Sequence, residues 1–133
     1  MTHRHTIRIY YEDTDLAGIV YYANYLKFIE RARTEWVRGL GLDQGRLRAD
    51  RGVVFAVRRV EADYLSPARF DDQIEVRTGL RALTGARIVL GQDIWRGDTR
   101  LFASEVTLVA LAGDGRPARI PAEFRRAVET NRP

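Results

Sequence analysis

Residues 24–40, N-Y-L-K-F-I-E-R-A-R-T-E-W-V-R-G-L, carry the period that decides the fold. Tyr25, Phe28, Ile29, Ala32, Trp36 and Leu40 recur at three- and four-residue steps, which puts one apolar stripe on a helix. Lys27, Glu30, Arg31, Arg33 and Glu35 take other positions, and Gly39 and Gly41 mark the end. A single stripe on a long helix needs a facing layer to cover it.

The flanking sequence supplies that layer as sheet. Before the helix, Thr6 to Tyr11 alternates and is rich in β-branched and aromatic residues, so it reads as a strand. After it, Val53 to Tyr64 begins as an apolar run, then alternates, and Ser66-Pro67 stops it. Ile74 to Ala82, Arg87 to Trp95 and Arg100 to Leu111 follow, with turn signals at Thr84-Gly85 and Gly97-Asp98. Pro121 is placed to open a short terminal helix. Tight turns make antiparallel neighbours, so the expected class is α+β, an antiparallel sheet curled around one long helix. The length, 133 residues, suits one domain spanning residues 1–133.

Composition narrows the chemistry by what is scarce. There is no Cys, the serines are Ser66 and Ser104, and the histidines are His3 and His5. A Cys nucleophile, a disulfide framework and a thiolate zinc site are excluded. A Ser–His–Asp triad would have to recruit a terminal histidine. His3 and His5 without a third ligand make no metal site, so none is expected. Carboxylates, tyrosines and backbone donors remain. The segment Tyr11 to Tyr25, Y-E-D-T-D-L-A-G-I-V-Y-Y-A-N-Y, gathers Glu12, Asp13 and Asp15 in a loop between strand and helix. Such acids can balance the positive end of the helix macrodipole. Alternatively, one of them points into a cleft where unpaired helix-start N–H groups hold an oxyanion.

Tyr10 to Asp15 (Y-Y-E-D-T-D), Gly18 to Tyr21 (G-I-V-Y), Asn24 to Glu35 and Tyr64 to Asp72 together resemble the hotdog-fold acyl-CoA thioesterases. The similarity is to the Tol–Pal-associated, YbgC-like branch and to its relative, 4-hydroxybenzoyl-CoA thioesterase. It implies a hotdog fold, and an active site at the interface of a dimer with joined sheets, often paired into a tetramer. It also implies Asp15 as catalytic aspartate, either attacking the thioester carbonyl or acting as general base for water. Tyr22 matches the position whose backbone amide holds the carbonyl oxygen, and Gly18, Val20, Tyr21 and Asn24 match the surrounding substrate site. Many Tol–Pal-associated members carry His where this chain has Tyr22, which leaves the acyl group open between short-chain and aromatic. Asp13 and Glu12 are expected to position the loop, Glu30 to pair with Arg31 or Arg33, and Asp71-Asp72 to form a turn. The resemblance requires no metal or redox cofactor, coenzyme A being part of the substrate.

The formal net charge is +4, and of 22 basic residues all but Lys27 are arginine. Guanidinium groups match phosphates, and coenzyme A gives them a purpose. Arg81 and Arg87 flank the turn where related thioesterases place basic contacts, with Arg58 and Arg59 as second candidates. The arginines are interleaved with 18 acids and form no stripe, which argues against nucleic acid. No run approaches a membrane span, no apolar signal region follows the N-terminus, and a cytoplasmic location is expected. Acyl carrier protein is a further partner to test. The alternative function is a non-catalytic acyl-CoA or acyl-carrier-protein binding module of the cell-envelope machinery.

Overall fold

A computed structural model describes residues 2–130 of the chain. Among them five strands form one antiparallel sheet: β1 (His3–Arg8), β2 (Val53–Tyr64), β3 (Gln73–Leu83), β4 (Arg87–Arg96) and β5 (Thr99–Ala112). Their spatial order is β1-β3-β4-β5-β2, so the hairpins β3–β4 and β4–β5 fill the middle. β1 and β2, which are separated by the helical segments, form the two edges.

Helix α1 (Asn24–Gly39) lies across one face. It buries Tyr25, Phe28, Ile29, Ala32, Trp36 and Val37. Opposite them stand Ile74, Val76, Ile88, Leu90, Ile94, Phe102 and Val106, all at most 1% exposed. Val37 joins the stripe, and Leu40, the C-cap, packs against the core half-buried. Beyond it Gly41, at φ +82°, donates to the Arg38 carbonyl and Leu42 to Val37. That is a Schellman stop, and only a residue at ease with positive φ fits its corner.

Two elements differ from the sequence reading. The first strand covers His3–Arg8 in place of residues 6–11. Ile9 N–H turns to the Asp72 carbonyl, and Tyr11–Asp13 form a 3₁₀ turn. A second helix, α2 (Gln44–Arg51), was not expected, since Leu47 is its one buried residue and leaves no stripe. Its signals are Asp43, whose carboxylate caps the Arg46 N–H, and Gly52 at φ +64°. The terminal helix, α3 (Ala122–Thr130), follows Pro121 as expected and buries Phe124 and Val128. None of the helices among the described residues is long and apolar enough to cross a membrane.

Candidate active site

Residues 13–21 form a small ribbon on which the acids sit. Tyr21 N–H donates to the Asp13 carbonyl at 3.0 Å and Asp15 N–H to the Ile19 carbonyl at 2.9 Å, while Thr14 bridges Val20. Gly18, at φ +81°, returns its N–H to the Asp15 carbonyl at 3.0 Å and closes the turn. Alternation along the ribbon puts Thr14 and Val20 inward and Asp13, Asp15, Ile19 and Tyr21 on the other face. Val20, 3% exposed, packs in the core and donates to the Ala68 carbonyl at 2.9 Å. Its placement is that of an anchor for the ribbon.

Asp13 and Asp15 have separate roles. The Asp13 carboxylate accepts the Tyr10 N–H at 2.8 Å, and its carbonyl accepts Asn24 Nδ2, also at 2.8 Å. Asn24, the first residue of α1, thus clamps the helix to the ribbon. Asp15 is exposed, and its Oδ1 accepts the Ala17 N–H at 2.9 Å. Leu16, fully exposed, forms the tip beside it.

Tyr21 and Tyr22 connect ribbon to helix, their rings 4.9 Å apart. The Tyr21 phenol is held above its ordinary pKa, first by the Tyr22 phenol through charge and a hydrogen bond, then by desolvation and by the Asp15 carboxylate. The last contribution agrees with Asp15 and Tyr21 sharing a ribbon face. Tyr64 Oη donates to the Tyr22 carbonyl at 3.0 Å, so the end of β2 supports the same corner. Burial, followed by Tyr22 and Tyr25, raises the Tyr64 phenol as well.

The start of α1 has no side-chain cap and no acidic residue in its first turn. Asn24, Tyr25 and Leu26 donate to the carbonyls three residues back, and Tyr21 donates to Asp13. The amides of Tyr22 and Ala23 are left with no acceptor among the described residues. Two free donors at an uncapped helix start make an anion site with the macrodipole behind it.

Asp15, Gly18, Val20, Tyr21, Tyr22 and Asn24 therefore come together, whereas the arginines do not join them. β2 ends at Tyr64, beside Tyr22, while Arg58 and Arg59 lie mid-strand. Arg59 pairs with Glu61 at 2.6 Å, and Arg58 is the unpaired residue of a bulge between Val57 and Arg59. Arg81 and Arg87 lie at the opposite end of the sheet. Seven residues separate Ile74 from Arg81 along β3, about 23 Å at strand rise. Two further arginines converge on that turn. Arg119 Nη2 lies 3.4 Å from where a Cβ on Gly85 would be, and Arg125 donates to the Thr84 carbonyl. Both sit after the last strand, too far along the chain for spacing to associate them with the turn.

Arg33 also departs from expectation. It points inward, donating to Gln92 Oε1 at 2.9 Å, and burial lowers its pKa. Glu30 accepts from Thr34 Oγ1 and forms no ion pair among the described residues. Arg33 lines a cavity of about 250 Å³ with Trp36, Phe55, Leu108 and Phe124. That cavity belongs to the C-terminal half of α1, away from Asp15.

The chain has recognisable relatives among known proteins. Residues 17–103 match the thioesterase superfamily. Over 129 residues the chain is 38% identical to the acyl-CoA thioester hydrolase YbgC of Escherichia coli O6:H1, covering 92% of this chain and 96% of that protein. A crystal structure of a "Probable Thioesterase from Bartonella henselae" superposes with a TM-score of 0.87 at 34% identity, covering 91% of this chain and 100% of that one. A mutant 4-hydroxybenzoyl CoA thioesterase complexed with 4-hydroxybenzoyl CoA gives a TM-score of 0.90 at 23% identity, covering 96% and 98%, a likeness of fold alone. The sheet wrapped on α1 is the hotdog arrangement, and the chain belongs to the thioesterase superfamily.

Proposed function

We propose that the chain hydrolyses the thioester of a short-chain or aromatic acyl-CoA to the free acid and CoA, with Asp15 leading the chemistry. The observation that carries this reading is the pair of unengaged amides, Tyr22 and Ala23, at the uncapped start of α1 beside the ribbon bearing Asp15. A thioester carbonyl seated on those amides gains stabilisation as its oxygen becomes an oxyanion, an effect worth about 10²–10³ in rate for one such donor. Asp15 either adds to the carbonyl carbon and expels the CoA thiolate, leaving an anhydride for water to cleave, or takes a proton from the attacking water. In both routes the side chain of Tyr22 is dispensable and its amide is not.

The site is open within one chain. Tyr21, Tyr22, Tyr64 and Leu65 are 46%, 60%, 47% and 50% exposed, an apolar surface for so small a corner. The surface continues along β2 to Val60 and Val57, 38% and 46% exposed on an edge strand of twelve residues. A long edge with apolar side chains is a template for another strand. A second copy paired edge to edge through β2 covers this surface, and two such dimers make the tetramer.

The test is a free-thiol release screen over aliphatic and aromatic acyl-CoAs, run on the native chain, Asp15→Asn and Tyr22→Phe. Asp15→Asn is expected to fold, to bind CoA, and to lose about 10²–10⁴-fold in kcat. Tyr22→Phe should keep most of the rate. Near-native turnover by Asp15→Asn across the panel would overturn the assignment. A collapse for Tyr22→Phe would assign the chemistry to the phenol.

A further inference from the structure

Gly91 stands in the middle of β4, where a glycine weakens a strand unless something needs the space. Here something does. A Cβ on Gly91 would lie 2.5 Å from Arg81 Nε, 2.6 Å from Nη2 and 2.7 Å from Cζ. Three atoms of one planar group at nearly equal distance mean that the guanidinium lies face-down on the glycine backbone.

One other feature brings it there. Leu80 pairs with Leu90 and Ala82 with Val89, so Arg81 is the extra residue of a bulge, a device that re-aims a side chain. Gly79 is the direct cross-strand partner of Gly91. A Cβ on Gly79 would have only Thr2 Oγ1 within 4 Å, so the bare floor beneath the guanidinium is Gly91 itself. Arg81 itself has no ion pair or side-chain hydrogen bond among the described residues, which leaves its edge donors free.

We propose that Gly91 is a positioning residue for Arg81. In this assignment the bulge and Gly91 form a seat that holds the guanidinium flat, with its donors presented to a phosphate of the nucleotide end of CoA. The inference rests on the reading of Arg81 as a CoA contact and adds what makes that contact selective. An arginine on open surface loses the freedom of a long side chain on binding, whereas one already lying in its bound pose loses little.

The experiment compares an acyl-CoA with the same acyl group on pantetheine, which lacks the nucleotide, for the native chain, Arg81→Ala, Gly91→Ala and the double variant. The atoms in the way of a Cβ are the end of a flexible side chain, so Gly91→Ala should fold with an unchanged melting temperature and a displaced guanidinium. Each single variant is expected to raise KM for acyl-CoA roughly tenfold, the lower range for a charge-assisted bond, with kcat unchanged. Neither should alter KM for the pantetheine ester, and the double variant should be no worse than Arg81→Ala. If Arg81→Ala raises KM and Gly91→Ala does not, the seat is refuted and the CoA contact stands. If neither moves KM, Arg81 does not meet the nucleotide, and the reading beneath the inference fails while Asp15 is untouched. Equal losses on both substrates for Gly91→Ala would mark a structural defect and also overturn the proposal.

Discussion

Tyr25→Phe removes one oxygen from the centre of the molecule and tests how the ribbon is held. Tyr25 is 3% exposed, and its hydroxyl accepts the N–H of Ala68, itself fully buried, at 3.0 Å. Its ring stacks on Phe102 with centroids 5.3 Å apart and planes 10° from parallel, a contact that Phe retains. Burial pushes the Tyr25 phenol up, so it stays neutral through the range of a neutral-pH assay. Without the hydroxyl, the Ala68 N–H is buried and unpaired, which costs about 1–3 kcal/mol. The hydroxyl hydrogen has no acceptor among the described residues, so its removal also spares one unpaired donor and trims the loss to about 1–2 kcal/mol. At roughly 2.1 cal/mol/K per residue, unfolding 133 residues carries about 0.28 kcal/mol/K, and the melting temperature should fall by about 4–7 °C. Because the Ala68 carbonyl holds Val20 and Arg69 bridges Ile19, the same loss loosens the ribbon, and thiol release should fall with it. Thermal unfolding by circular dichroism with parallel kinetics reads both. A shift within about 1 °C, well below the range expected, would show that this bond does not hold the loop.

Gln92→Leu tests the polar layer under α1. Gln92 donates to the Ile29 carbonyl at 2.9 Å and to Thr78 Oγ1 at 3.0 Å while accepting from Arg33, so its loss strands a partly buried guanidinium. The expected cost is about 2–4 kcal/mol, seen as a lower urea midpoint at unchanged slope, and an unmoved midpoint would refute it. Val60→Glu tests the edge of β2. Sedimentation should show monomers and thiol release should collapse, whereas an assembled, active variant would remove β2 from the interface.

What the sequence disclosed follows from where each signal resides. The α1 stripe and the β3–β4–β5 hairpins are local periodicities, and they matched the structure to within a residue or two. β1 was misplaced because Ile9 and Tyr10 look like strand but bond to Asp72 and Asp13, partners that alternation does not reveal. α2 escaped because Leu47 is its one buried residue, so no apolar stripe marks it; its signals are the caps Asp43 and Gly52 alone. The ribbon was visible as a cluster of acids, but its division of labour depends on long-range bonds. Asp13 is occupied by Tyr10 and Asn24, and Asp15 is left at the surface. Arg33 was read outward by helical position, and a buried Gln92 on β4 draws it in.

The separation of Asp15 from the arginine turn bears on how a site would be assembled. Within one chain the two lie at opposite ends of the sheet, at least about 23 Å apart along β3. Two copies paired through the edge of β2 by a two-fold axis run antiparallel, as an isologous contact demands. The Tyr64 end of one β2 then faces the Val53 end of the other. Val53 pairs with Ala112 and Arg87 with Val109, so the Val53 end is also the end of the arginine turn. Stepping from one β2 across the edge to the partner's β2, β5 and β4, which carries Arg87, covers three strand spacings, and reaching Arg81 on β3 a fourth, about 14–19 Å in all. The partner's turn is thus nearer to the Tyr22 corner than the chain's own. In the proposed dimer, a thioester cleaved by Asp15 of one chain would direct its nucleotide toward Arg81 and Arg87 of the other. The exposed edge and the distant arginines are then two consequences of one arrangement.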